Sequence, residues 1–138
     1  MPAKTKRSIT PQDIYSFELV SDVRLSPDGR NVIYAVQRVD RKTEKKYSNL
    51  WLAPVEGGEP RQFTFGDQND GMPRWSPDGS QIVFLSNRAD KEKGAQIYLI
   101  GMNGGEARPL AQIDGGVNSL SWSPDGKKLL CMVRKTDA

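Results

Sequence analysis

A side chain that carries chemistry usually needs a second group to activate it, and in this chain such partners are scarce. The 138 residues include no His and a single Cys, Cys131. Without imidazole there is no Ser-His-Asp or Cys-His pair in which a nucleophile loses its proton, and no imidazole metal site. One Cys cannot close an internal disulfide or build a thiolate cluster. The stretch with the composition of a cation loop is Gly66-Asp67-Gln68-Asn69-Asp70-Gly71. A calcium loop of EF-hand type takes ligands from alternate positions, with Gly sixth and a bidentate Glu twelfth. Counted from Asp67, Gly falls fifth and the twelfth residue is Asp78, inside a turn that recurs elsewhere. The segment therefore reads as a polar connection between structural units. No catalytic residue, metal ligand or cofactor-binding residue is assigned.

Charge does not suggest a nucleic acid partner. The net charge is +3, and Lys4, Lys6 and Arg7 account for it; from Ser8 onward basic and acidic residues cancel, 17 of each. A nucleic-acid binder shows its basic excess on the folded face, whereas here it sits in a leading tail, residues 1–9, expected to be disordered. The most charged internal stretch, Arg38 to Lys46, mixes both signs and suits a solvated hairpin. The apolar runs are only a few residues long, and Ser8 to Asp13 lacks the apolar core of a signal peptide, so no membrane contact and a cytoplasmic location are expected.

The elements that would position any site emerge from self-comparison. Ser-Pro-Asp-Gly occurs at Ser26–Gly29, Ser76–Gly79 and Ser123–Gly126, spaced by 50 and 47 residues. Around it, Val32-Ile33-Tyr34-Ala35-Val36 matches Ile82-Val83-Phe84-Leu85 and Leu129-Leu130-Cys131-Met132-Val133. Arg74-Trp75-Ser76 matches Ser121-Trp122-Ser123, Leu50-Trp51-Leu52 matches Ile97-Tyr98-Leu99, and Gly57-Gly58-Glu59 matches Gly104-Gly105-Glu106. Leu50 to Ser76 and Ile97 to Ser123 are both 26 residues, but Ser26 to Leu50 is 24 against 21 for Ser76 to Ile97. Three extra residues thus fall in one loop, between Arg38 and Tyr47.

Each repeat reads as four short strands. A first strand (Met72 to Trp75 in the second copy) ends at Ser-Pro-Asp-Gly, where Pro presets φ, Asp suits the next turn position and Gly accepts a positive φ. The second strand is a continuous apolar run, the pattern of a strand buried on both faces. The third lies around Leu50 to Ala53 or Ile97 to Ile100, and a Gly-Gly-Glu turn leads to the fourth, Arg61 to Thr64 or Arg108 to Ala111. Such quartets, with aromatics at fixed positions, predict an all-β fold of β-propeller blades, four-stranded antiparallel sheets. At the N-terminus, Thr10, Pro11 and Asp13 form a start signal for a short helix over residues 10–19. Blade 1 is then 20–66, blade 2 is 67–114, and 115–138 supplies the first half of blade 3.

Propellers close with roughly 4–8 blades, so this arc leaves a blade face uncovered, Leu130 and Met132 included, and a strand edge unpaired. Two expectations follow: a fragment of a longer protein, which is favoured, or a subunit that closes a ring with copies of itself.

The stretch from Thr10-Pro11-Gln12-Asp13-Ile14 through Val20-Ser21-Asp22-Val23-Arg24-Leu25-Ser26-Pro27-Asp28-Gly29 resembles the opening of prolyl oligopeptidase family serine peptidases of the acylaminoacyl-peptidase branch. So does Asn69-Asp70-Gly71-Met72-Pro73-Arg74-Trp75-Ser76-Pro77-Asp78-Gly79, with the run ending Ser86-Asn87-Arg88. TolB-like propellers share Ser-Pro-Asp-Gly; the helix leading directly into a first blade favours the peptidases. The resemblance implies a non-catalytic propeller that gates peptide access to a C-terminal α/β-hydrolase domain. The chain itself has no nucleophile elbow, so none of the family's catalytic residues carries over and no enzymatic activity is expected of it. The alternative is a free-standing TolB-like interaction module that closes its ring by oligomerisation. Partners are accordingly the rest of the propeller and the hydrolase domain, or copies of the chain.

In a propeller the loops after second and fourth strands share one face. That places Arg38–Tyr47, Arg88–Gly94 and Gly66–Asp70 on one rim, the surface chosen for any partner contact, with the Ser-Pro-Asp-Gly turns opposite. Trp75 and Trp122 read as repeated packing between blades, Trp51 and Tyr98 as a structural pair, and Cys131 as a small buried apolar residue.

Overall fold

The computed structural model describes residues 5–134. Strands β1 (Leu19–Leu25), β2 (Asn31–Val39), β3 (Lys46–Pro54) and β4 (Arg61–Gln62) form one antiparallel sheet in sequence order. Strands β5 (Asp70–Trp75), β6 (Gln81–Ser86), β7 (Gln96–Gly101) and β8 (Arg108–Ala111) form a second, and β9 (Val117–Trp122) pairs with β10 (Leu129–Val133). These are two propeller blades and the first hairpin of a third. Residues 135–138, the end of the expected half-blade, and 1–4 of the expected tail, Lys4 included, lie outside the described residues.

The recurring tetrad builds each first hairpin in the same way. Ser26 O accepts from Gly29 N at 2.9 Å, with Gly29 at φ 72°, a conformation that a Cβ disfavours. Because that carbonyl is taken, Asn31 N donates instead to Ser26 Oγ at 3.0 Å, and the hydroxyl donates to Asp28 Oδ1 at 2.6 Å. The same bonds recur at Ser76/Asp78 and Ser123/Asp125. The Ser76 hydroxyl and the amide and hydroxyl of Ser80 hold the Asp78 carboxyl down to about 2. A hydroxyl beside a carboxylate here closes a turn; Ser26 and Ser76 are buried and their oxygens already engaged.

Side chains alternate between blade faces, and this arranges the core. Ile33, Ala35, Leu50 and Leu52 of blade 1 meet Ile82, Phe84, Tyr98 and Ile100 of blade 2; the opposite face of blade 2 (Val83, Leu85, Ile97, Leu99) meets Val117 and Leu120 of blade 3. Burying each of the Val, Leu, Ile and Phe side chains among them contributes about 1.5–3 kcal/mol. Strand β6 is buried on both faces, as expected from its apolar run, but β2 is not: Val32, Tyr34 and Val36 are half-buried, because they point where no preceding blade stands. For the same reason Trp51 is half-buried while its counterpart Tyr98 is buried. Leu130 and Met132 are exposed on the far face of blade 3, at 76% and 64%. Cys131, read as buried, is half-buried: it packs toward blade 2, but β10 is the outer strand of its two-stranded sheet and lacks the third strand that shields Phe84.

The N-terminal helix is shorter than expected. The helix is a 3₁₀ helix over Pro11–Ser16 and stops short of residue 19. Asp13 reaches back to Thr10 N at 2.7 Å, but Phe17 is already extended and Leu19 is claimed by β1 through its pairing with Gln37. Of the basic tail, Arg7 pairs with Asp13 at 2.9 Å. No helix among the described residues is long and apolar enough to cross a membrane.

Candidate functional site

Two surfaces concentrate polar groups: the rim formed by the loops after β2, β4 and β6, and the row of first strands β1, β5 and β9.

On the rim, the loop after β2 is folded by Asp40, whose Oδ2 accepts from the amide and hydroxyl of Thr43, at 2.9 and 2.8 Å. These bonds hold its carboxyl below the usual carboxylate range. Tyr47, at the end of this loop, is buried beneath Arg38 (5.2 Å from the ring centre) and Lys91 of the next blade's loop (5.4 Å). Arg38 Nη2 donates to Asp67 Oδ1 at 2.9 Å, and Ser48 N donates to Gln68 O at 3.1 Å. The expected juxtaposition of Arg38–Tyr47, Arg88–Gly94 and Gly66–Asp70 is therefore present. Below them Asn69 N donates to Asn87 Oδ1 at 2.8 Å.

The carboxylates of the Gly66–Gly71 loop are spent on protein donors. Asp70 is fully buried; its Oδ1 accepts from Arg88 Nη2 at 2.9 Å and its Oδ2 from Gln68 Nε2 at 3.0 Å, with Asn49 Nδ2 at 3.5 Å. Arg88 in turn lies over the rings of Phe84 and Tyr98, 5.2 and 5.0 Å from their centres. Asp67 is engaged by Arg38. Among the described residues no group of three or more Asp, Glu, His or Cys side chains is disposed around a metal site. Farther along the rim, an open cleft of about 1230 Å³ runs past Asp90, Lys93, Gln96 and Asp114 to Arg134. Gly94 and Gly116 meet at its edge, where a Cβ on Gly94 would sit 3.3 Å from Gly116 Cα.

The first strands lie side by side, β1 against β5 and β5 against β9, while the fourth strands diverge. They are the innermost strands and face the propeller axis. Both β1 and β5 carry a bulge, between Ser21 and Arg24 and between Gly71 and Arg74, with Asp22 and Met72 at φ 50°. A bulge suits Pro73, which has no N–H for the ladder. Nothing in the sequence pattern announced these bulges. Trp75 Nε1 donates to Arg24 O at 3.1 Å and Trp122 Nε1 to Arg74 O at 3.1 Å, so each indole bonds to the preceding blade. The reading of the tryptophans as blade-to-blade packing holds, with a directional hydrogen bond added.

The family model of the TolB beta propeller domain matches residues 12–138. The chain belongs to this TolB propeller family. Over 83 residues, 60% of the chain, the TolB propeller described here is 37% identical to the uncharacterized peptidase YuxL of Bacillus subtilis (strain 168), covering 13% of that protein. It is 36% identical over 83 residues to dipeptidyl-peptidase 5 of Porphyromonas gingivalis, covering 12% of it. The chain thus spans about an eighth of the length of these relatives. Among solved structures it superposes on acylaminoacyl peptidase of Pyrococcus horikoshii with TM-score 0.70 at 24% identity, over 86% of this chain and 18% of that one. On the putative TolB of Agrobacterium tumefaciens the TM-score is 0.63 at 23% identity, over 78% and 35% of the two chains. The sequence resemblance to peptidase propellers is thereby matched in both sequence and fold.

Proposed function

We propose that these blades are part of the propeller of a cytoplasmic serine peptidase of the oligopeptidase type, and that the closed propeller admits short peptides to a hydrolase domain on the same polypeptide. The observation that carries this reading is the similarity to two peptidases at 36–37% identity over the same length of blade sequence. The uncovered faces agree with it: Leu25, Val32, Tyr34 and Trp51 on one side and Leu130 and Met132 on the other have the character of the surfaces that blades 1 and 2 bury against each other. Within the arc the hydroxyls and carboxylates serve turns and blade contacts, so the catalytic groups belong to the hydrolase domain.

The test is to read the coding sequence past Ala138 and express the continuous polypeptide. A Gly-x-Ser-x-Gly elbow, labelling of its Ser by a fluorophosphonate, and cleavage of short chromogenic peptides with exclusion of folded proteins are expected. A coding sequence that closes the propeller without such an elbow overturns the reading. It would favour instead the free-standing interaction module, which the fold likeness to the putative TolB also fits.

A further inference from the structure

We infer that the axis-facing surface of β1 and β5 binds a peptide carboxylate through Arg24 and Arg74. Asp22 Oδ1 accepts from Arg24 Nε at 2.9 Å, and both Asp22 oxygens accept from Arg74 Nη1, at 3.1 and 3.0 Å. One carboxylate thus serves two guanidinium groups from neighbouring blades. Arg74 Nη1 also donates to Pro73 O at 2.7 Å, and the remaining donors of both side chains, Nε and Nη2 of Arg74 and both Nη of Arg24, have no partner among the described residues. Each guanidinium therefore keeps an unused pair of parallel N–H groups, the fork that matches a planar carboxylate.

The local charge favours an anion. Among the described residues of β1, β5 and β9, the charged side chains are Asp22, Arg24, Asp70 and Arg74. Asp70 is buried and paired with Arg88, which leaves two cations against one anion, while β9 contributes Asn118, Ser119 and Ser121. Arg74 is only 19% exposed and Asp22 23%, so this pair is less screened than an exposed ion pair, while Arg24, at 48%, is open to solvent. The geometry of Asp22 is imposed: it sits at φ 50° on a bulge, a conformation that aims its carboxylate across the blade boundary. The same bulge in blade 2 carries Met72, so the carboxylate is a feature of blade 1 added to a repeated backbone. Taking the ligand to be a peptide rests on the proposed function; the excess of guanidinium donors does not.

The experiment titrates the full 138-residue chain with N-acetyl-trialanine acid, its C-terminal amide, N-acetyl-Ala-Glu-Ala-amide and inorganic phosphate, following the arginine Nε–H signals by NMR. Lys substitutions at Arg24 and Arg74 supply the assignments. A saturable shift of both signals with a carboxylate peptide, at least tenfold weaker for the trialanine amide, is expected. Whether the terminal or the Glu carboxylate is preferred tells the two sources apart. Arg24→Gln and Arg74→Gln each weaken binding about fivefold or more, with retained tryptophan fluorescence showing that the blades still pack. Equal response to acid and amide, an equal or stronger response to phosphate, or shifts confined to other arginines overturns the inference. Because the nucleophile elbow is read from the gene, a failed titration leaves the peptidase reading intact, and a missing elbow leaves the carboxylate site standing.

Discussion

Replacing Asp70 with Asn tests whether the buried cluster between the first two blades is held by charge or by shape. Asp70→Asn preserves volume but removes the negative charge facing Arg88 and converts one oxygen into an NH₂ group. If the amide oxygen stays toward Arg88 Nη2, the new NH₂ faces the Gln68 amide nitrogen now 3.0 Å away, a donor against a donor. If the amide flips, the conflict moves to Arg88. Losing a hydrogen bond to a charged group removes about 1.5–3 kcal/mol, and a buried donor left without an acceptor costs about 1–3 kcal/mol more. Arg88 is a quarter exposed and recovers some hydration. The net expectation is a destabilisation of about 3 kcal/mol, which urea unfolding followed by tryptophan fluorescence would register as a midpoint lowered by about 1–2 M. Asp67→Asn is the matched control: its ion pair with Arg38 is exposed, and a change under about 1 kcal/mol is expected. A double cycle with Arg88→Met should return a coupling of about 1.5–3 kcal/mol between residues 70 and 88. An Asp70→Asn chain within about 0.5 kcal/mol of the parent would refute the argument, since it would mean the cluster exchanges its acceptor at no cost.

Other consequences are open to measurement. Trp75→Phe and Trp122→Phe each remove an indole bond to the preceding blade and should each lower stability by about 1 kcal/mol, with the indole N–H signals of the parent protected from hydrogen exchange. Asp13 and Asp78 titrate at about 2 in the folded chain, and Asp28 and Asp125 are lowered as well. Folded values below the ordinary carboxylate value near about 4 mean that their contribution is complete above that pH and lost as the pH falls toward about 2. Urea midpoints measured down the acid limb should fall through this window, and Asp78→Asn should flatten the fall. Gly94→Ala should lower the melting temperature more than Gly104→Ala: both positions have positive φ, but only at Gly94 would the new Cβ meet neighbouring backbone, that of Gly116.

The blades were legible because a four-stranded repeat writes itself into the sequence several times over. Ser-Pro-Asp-Gly fixed the hairpins, the apolar runs fixed the second strands, and the two tryptophans marked the blade boundaries. Features that occur once had no such redundancy. Asp70 could be read only as a polar linker residue, because its partners Asn49 and Arg88 lie 21 and 18 positions away and no repeat predicts them. The bulges at Asp22 and Met72 were invisible, since neither residue type advertises a left-handed backbone. The short helix was recognised by its start signal, but its 3₁₀ form and its end at Ser16 were decided by strand pairing that begins at Leu19. The half-burial of Cys131 and Trp51 depended on which faces have neighbours, a matter of assembly rather than of local pattern.

The indole bonds also give the arc a sense of direction. Every junction has its donor on the later blade and its acceptor on the earlier one, so successive blades join like plug to socket, in one order only. Leu25 occupies the plug position of the first blade and brings no N–H with it. Whatever covers that face does so without this indole bond, a joint chemically unlike the two within the arc.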